Sequence, residues 1–253
     1  VSNPLTEDKG ERVAKLIARA GLCSRRDAER WIAEGRVRLD GAVLTKPGVV
    51  VDDPTRIQVD GKPLPRAEET RVFRYHKPRG QVTTHRDPQG RTTVFERLPP
   101  GLPRVVSVGR LDYNTEGLLI LTNDGELARR LELPANGWLR RYRVRVHGDI
   151  DETALARLAR GLAIAGVRYG PIQARLGRKQ GSNAWLSLSL TEGKNREVRR
   201  VLEHLGLSVT RLIRVAYGPF QLGHLPRGVA EEISPKILRD QLGVSDAHRR
   251  GKA

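Results

Sequence analysis

Apolar residues recur at helical spacing near the start of the chain. Val13, Leu16, Ile17 and Ala20 share one face, and Gly21 follows as a stop for that helix. Ser24 then stands as an N-cap, with Asp27 three residues on in a capping-box-like start. Ala28, Trp31 and Ile32 form the second apolar stripe, and Gly35 closes it. The opposite faces of this predicted helix pair carry Arg12, Lys15, Arg19, Arg25, Arg26 and Arg30. Short strands with tight turns come next, in "VRLDGAVL" and "PGVVVDDPTRIQVDGKPL".

The stretch "GKPLPRAEET", residues 61–70, is rich in proline and charge and reads as a linker. From Arg71 the pattern changes to period-two alternation, in "RVFRYHKPRGQVTT", "RVVSVGRLD", "GLLILTNDG", "RRYRVRVHG", "AWLSLSLTEG" and "VTRLIRVAYGPFQL". Helical patterns fall between them, at "GELARRLEL", "DETALARLARGL" and "NREVRRVLEHLG". The helices do not alternate regularly with the strands, so the prediction is an α+β domain on a mixed, largely antiparallel sheet. The predicted organisation is a leader over 1–10, a small domain over 11–60, the linker, a large domain over 71–243, and a basic tail over 244–253.

Charge changes the picture most. Lys and Arg number 46 against 29 acidic residues, a formal net charge of +17, and the basic residues are clustered. Such an excess favours phosphate backbones through counterion release and points to nucleic acid. No apolar run approaches the roughly 18–20 residues of a membrane helix, and the polar start "VSNPLTEDKGER" has no signal-peptide core. One cysteine, Cys23, rules out an internal disulfide and leaves no thiol partner for a zinc site. A cytoplasmic protein with no membrane association is expected.

The candidate chemistry narrows by exclusion. "GKNREVRR" contains Gly-Lys but lacks the spacing and the Ser/Thr of a phosphate-binding loop. The six histidines show no metal-ligand spacing. "DYNTEGLLILTN" opens like a calcium loop, but its twelfth residue, Asn123, cannot supply the bidentate carboxylate. What remains is Asp112, in "GRLDYNTEGLLILTNDGE", at the start of a loop expected to end at Gly117 before the buried strand "LLIL". Arg110 beside it would favour the ionised carboxylate. The residues alone leave two readings open: a reactive carboxylate, or an Asx-turn carboxylate that caps its own backbone.

Two resemblances bear on that choice. "RVAKLIARAGLCSRRDAERWIAEGRVRLDG" resembles the S4 RNA-binding domain, a small αL-like module, which implies that the basic helix pair lies on structured RNA. "GRLDYNTEGLLILTNDGELARRL" resembles the catalytic-aspartate motif of the RsuA/RluB/RluE/RluF group of pseudouridine synthases. "YHKPRGQVTT", "RRYRVRVHG" and "EGKNREVRRVLEHLG" match further motifs of that group in order, so the resemblance spans about residues 11–240. Within the group, "HRDPQGRTTVFERLP" is most similar to the B-type enzymes of large-subunit ribosomal RNA.

The resemblance implies isomerisation of a uridine in ribosomal RNA, 23S in preference to 16S, with no cofactor and no metal. It makes Asp112 the essential carboxylate, as nucleophile at C1′ or base at C2′. Tyr142 would stack on the base or relay a proton. Arg110 would fill the gap left by the flipped nucleotide or hold phosphate. Arg199 is expected to keep Asp112 ionised, with Lys194 and Arg196 as alternatives, and the spacing of three sets Arg196 and Arg199 on one helix side. Lys77, Pro78 and Gly80 match a loop read as architectural. "ELPANGWLRRYRV" departs from the group's usual stretch before the tyrosine, and the tail is short. The expected state is a monomer acting on naked RNA or a pre-ribosomal particle. The alternative is a non-catalytic RNA-binding assembly factor on the same fold.

Overall fold

Ser24 accepts a hydrogen bond at its side-chain oxygen from the Asp27 backbone N–H at 3.1 Å, and this cap starts the second of two helices. In the computed structural model, which describes residues 10–242, these are α1 (Val13–Arg19) and α2 (Arg25–Ala33). Gly21, at φ +81°, turns the chain between them. Their apolar stripes close over a small antiparallel sheet of Ala42–Val43, Val37–Leu39, Ile57–Val59 and Lys62–Pro63, in that order. Val13, Ile17, Ala28, Ile32, Val37 and Ile57 are fully or nearly fully buried between these layers. The segment expected as linker therefore begins inside this sheet, because the turn at Asp60 and Gly61 returns Lys62–Pro63 to pair with Gln58 and Val59.

The chain divides into two compact units, the second starting at Arg71. In that unit the strands are β1 (Val72–Lys77), β2 (Val106–Val108), β3 (Thr115–Thr122), β4 (Arg140–His147), β5 (Ile172–Gln180), β6 (Asn183–Leu190), β7 (Ser208–Tyr217) and β8 (Ala230–Glu232). They form one sheet in the order β5-β6-β4-β7-β3-β1-β8, with β2 also on β3 and the two-residue strand Phe220–Gln221 on β7, while Leu162–Ile164 and Val167–Tyr169 pair as a separate hairpin. Every pairing among them is antiparallel except β7 with β3. The helices are α3 (Gly125–Glu132), α4 (Glu152–Arg157), α5 (Glu197–His204) and α6 (Pro235–Leu242).

Two apolar clusters hold this sheet. One packs Val144, Val146, Leu186 and Leu188 against Leu155 of α4 and Val198, Val201 and Leu202 of α5. The other packs Leu118 and Ile120 against Leu127, Ala128 and Leu131 of α3 and against Phe220 and Leu225. All eight residues of β3 are buried, which is why "LLIL" is a continuous apolar run rather than an alternating one. Gly117 does not end the loop, as its sequence position suggests, but lies inside β3. There, at φ +106°, it lets the parallel partner β7 approach: a Cβ at this position would collide with the backbone of Arg214. The leader up to residue 9 and the tail from 243 lie outside the described residues.

Candidate active site

Six residues, Gly109–Asn114, connect β2 to β3, and the protein holds almost every one of them by its backbone. Gly109 N–H donates to Glu132 Oε1 at 2.6 Å. Leu111 donates its N–H to Thr83 Oγ1 at 3.3 Å and accepts from the same hydroxyl at 2.8 Å. Gly80 N–H donates to the Tyr113 carbonyl at 2.9 Å, and Thr115 N–H to the Asp112 carbonyl at 3.0 Å. Lys77 is completely buried in line with Tyr75 on β1. Its Nζ donates to the carbonyls of Pro78 at 3.0 Å, Asp112 at 3.2 Å and Thr115 at 2.9 Å. Burial lowers the Lys77 pKa to about 8, against the fields of Asp112 and Glu116, which favour its charge. Backbone bonds at five of the six residues fix the course of the loop from which the Asp112 side chain projects.

The half-buried Asp112 side chain faces a cleft of about 620 Å³, within the roughly 300–1,000 Å³ of small-molecule sites. Tyr142 of β4 and Arg214 of β7, a register pair, line it as well. Arg214 is buried, donates from Nε to the Leu118 carbonyl at 2.8 Å, and lies 5.0 Å from the Tyr217 ring centroid. Its Nη2 has no hydrogen-bond partner among the described residues. Burial lowers its pKa, opposed chiefly by Tyr142 and Tyr217.

Three carboxylates line this cleft, and two are committed. Glu132 accepts from Gly109 N–H, and Glu197 Oε2 accepts from Lys194 N–H at 2.9 Å, while its buried Oε1 has no partner among the described residues. Burial raises the Glu197 pKa. No hydrogen bond or ion pair engages the Asp112 carboxylate among the described residues, so it is the one with neither oxygen engaged by the backbone around it.

Residues 71–204 match the family model for RNA pseudouridylate synthase, and residues 11–54 match the S4 domain. The chain belongs to the RNA pseudouridylate synthase family. An uncharacterized RNA pseudouridine synthase of Rickettsia felis is 48% identical over 90% of this chain and 99% of its own length. The ribosomal large subunit pseudouridine synthase B of Yersinia pestis is 47% identical, over 90% of this chain and 74% of that one. A crystal structure of a pseudouridylate synthase superposes with a TM-score of 0.63 at 26% identity, covering 91% of this chain and 99% of that one. This synthase is thus an S4 domain followed by a pseudouridine synthase domain.

The basic residues expected around Asp112 are distributed differently. Arg199 does not form an ion pair with the aspartate. It is buried on α5 and donates from Nη2 to the Asn114 carbonyl at 3.0 Å and from Nη1 to the Val209 carbonyl at 3.2 Å. Burial lowers its pKa, the nearby Arg196 adds to that, and the field of Asp112 opposes it. Arg196 is not on the helix. It precedes α5 in the left-handed conformation, at φ 51°, and is exposed at the cleft, so the three-residue spacing does not set it beside Arg199. Lys194 also lines the cleft, but its Nζ is occupied by the Arg168 carbonyl at 2.6 Å and Glu192 at 2.7 Å. Arg110 is exposed at the rim.

On the S4 unit, Arg12 is the residue before α1 rather than a helix-face residue, and it is exposed. Lys15 pairs with Glu11 at 2.7 Å, and Arg30 with Asp27 at 3.1 Å. Arg19 ends α1. Arg25 and Arg26 stand exposed in the first turn of α2, where the helix dipole disfavours cations, and no carboxylate pairs with them among the described residues. A cost of that kind, left unoffset within the unit, suits cations that meet an external anion.

Glu116 escaped the sequence reading except as part of a false calcium loop. It is buried on β3 and bound by Arg211 Nε at 2.9 Å and Arg227 Nη2 at 3.1 Å. Burial raises its pKa, but the hydrogen bonds and charge of Arg211, with Arg227 and Arg79, hold it below the ordinary value. A signal for Lys77 was present: it continues the Phe73, Tyr75 alternation, so a lysine falls on a buried face.

Proposed function

We propose that this synthase converts one uridine of the 23S ribosomal RNA to pseudouridine, with Asp112 as its essential carboxylate. The observation that carries the assignment is the contrast among the cleft carboxylates: Glu132 and Glu197 each accept a backbone N–H, and Asp112, on a pinned loop, accepts none. The large-subunit target rests on likeness to relatives such as the Yersinia pestis enzyme, named for that subunit.

The reaction breaks the C1′–N1 bond of a flipped uridine, turns the uracil in the cleft, and joins C5 to C1′. The C5 proton is lost to solvent and N1 gains one, so the product is an isomer. Asp112 acts at C1′ as nucleophile or at C2′ as base. Tyr142 offers a ring on which the uracil stacks while it is detached. Arg214, with an uncommitted Nη2, supplies a fixed positive charge beside it.

Transcripts of 23S and 16S RNA labelled with tritium at uridine C5 test the reading. The expected result is release of a single tritium per 23S molecule and none from 16S. Release from 16S instead, or from neither, counts against it.

A further inference from the structure

Strand β4 has two unlike faces. Tyr142, Val144 and Val146 turn towards the cleft and the apolar cluster beneath it, so Arg141, Arg143 and Arg145 project from the opposite side of the sheet, all exposed. Register with β6 sets Arg141 opposite Ser189, Arg143 opposite Ser187 and Arg145 opposite Trp185. The two serines are small and leave the arginines uncovered. Strand β5 adds the exposed Arg175 across from Ser187. On the other flank Arg211 of β7 pairs with Arg145. The Trp185 ring supports this row: the guanidinium of Arg143 lies 4.9 Å from its centroid and that of Arg211 lies 6.0 Å away.

These charges are not balanced within the protein. Arg211 is engaged by Glu116, but no carboxylate pairs with Arg141, Arg143, Arg145 or Arg175 among the described residues. Cations two residues apart on a strand are about 6.7 Å from one another, and like charges on neighbouring positions of a sheet face repel. Four unpaired guanidiniums on one sheet face, with serines between them and an aromatic that stacks two of the row's side chains, match a phosphate backbone. They do not match a protein partner, whose interface cores are depleted in charge and built around apolar anchors.

We propose that this face, on the side of the sheet away from Asp112, is a second RNA-docking surface. It takes the sugar–phosphate backbone of a ribosomal RNA segment outside the one held in the cleft. The inference rests on the reading that the chain acts on ribosomal RNA. Guanidinium forks bind phosphate oxygens in pairs, and stacking on Trp185 orients Arg143 before the RNA arrives, which reduces the ordering cost of binding.

The test is a triple substitution, Arg141→Gln, Arg143→Gln and Arg145→Gln, in the full chain. Its binding to a long 23S transcript is measured across a salt series. Each lost phosphate contact should reduce the slope of log affinity against log salt by roughly 0.7–0.9, so the triple variant should lose about 2 to 3. The corresponding triple lysine variant, which keeps the charge, should retain the wild-type slope within about 0.5 and guards against misfolding as the cause. A control that removes Arg129, Arg157 and Arg160, exposed on α3 and next to or within α4, should change the slope by less than one.

An unchanged slope in the glutamine variant overturns the proposal. An equal fall in the control overturns it too, because the effect would then be the general field of the chain. Tritium release by the wild-type protein on the same RNA is recorded in parallel. Its absence would count against the synthase reading, while the salt slope decides the docking surface.

Discussion

Lys77 Nζ donates to the backbone carbonyl of Asp112 at 3.2 Å, although 35 residues separate the two in the chain. The same ammonium reaches Thr115 and Pro78, so one buried charge closes both ends of the turn that presents the carboxylate. Replacing Lys77 with methionine keeps most of the volume and takes a hydrogen bond from each of three carbonyls, of which Asp112's keeps its bond from Thr115 N–H. Stability should fall by about 2–3 kcal/mol, read by urea unfolding, and the rate should fall by at least tenfold with RNA affinity kept.

The depressed Lys77 pKa fixes the sign of a pH effect. With a folded value of about 8, below the ordinary value near ~10.4, the unfolded chain holds this proton more tightly. Lys77's own contribution to stability therefore rises with pH above about 8. Activity should move the other way, because the neutral amine has two hydrogens for three carbonyls. A pH–rate profile that declines above about 8 in the wild type checks this.

Arg199 is a positioning residue. Its loss frees the Asn114 carbonyl, next to the turn, and the Val209 carbonyl. Arg199→Ala should lower kcat by roughly 10–100-fold with KM within a few-fold, the pattern of a misplaced group. Lysine should rescue only in part, since it cannot reproduce a fork spanning two carbonyls. An acid-side shift of the pH–rate profile in the alanine variant would instead show that Arg199 acts on the ionisation of Asp112.

Gly117→Ala introduces a Cβ against the Arg214 backbone at a φ of +106°. The strain should cost on the order of 3 kcal/mol and separate β3 from β7 where Arg214 enters the cleft. Thermal unfolding and activity should both fall, and no larger side chain should be tolerated there.

Glu116→Gln tests the buried ion pairs. Its pKa is lowered in the folded protein, so its stabilisation is present above the ordinary carboxylate range, near ~4.3, and is lost as pH falls through the folded value. The variant should be less stable by about 2 kcal/mol at neutral pH, since Arg211 and Arg227 are partly solvated. The difference should shrink below pH ~4.

Local pattern carried a large part of this molecule. The Val13/Leu16/Ile17 stripe and the Ser24 cap are helical signals written in adjacent residues, and both helices form there. "LLIL" is buried on both faces, so its apolar run marks a central strand. Position in the cleft was less legible. Arg199 and Asn114 are 85 residues apart, and nothing in "KNREVRR" tells which cation meets which carbonyl. A helical wheel assumes helical dihedrals at every position, and Arg196 has left-handed ones. Glu116 lay inside the motif itself, but its partners Arg211 and Arg227 come from distant segments that only the folded sheet assembles.

Asp112 is the proposed essential carboxylate, on a loop that the surrounding protein holds by its backbone. Asp112→Asn removes one charge and keeps the side chain's size, so the loop, the fold and the RNA-binding surfaces should persist. Tritium release from 23S RNA labelled at uridine C5 should fall below about one per cent of the wild-type rate, with RNA affinity within a few-fold. Turnover above that level in a variant that still binds RNA would show that a group other than Asp112 carries the chemistry.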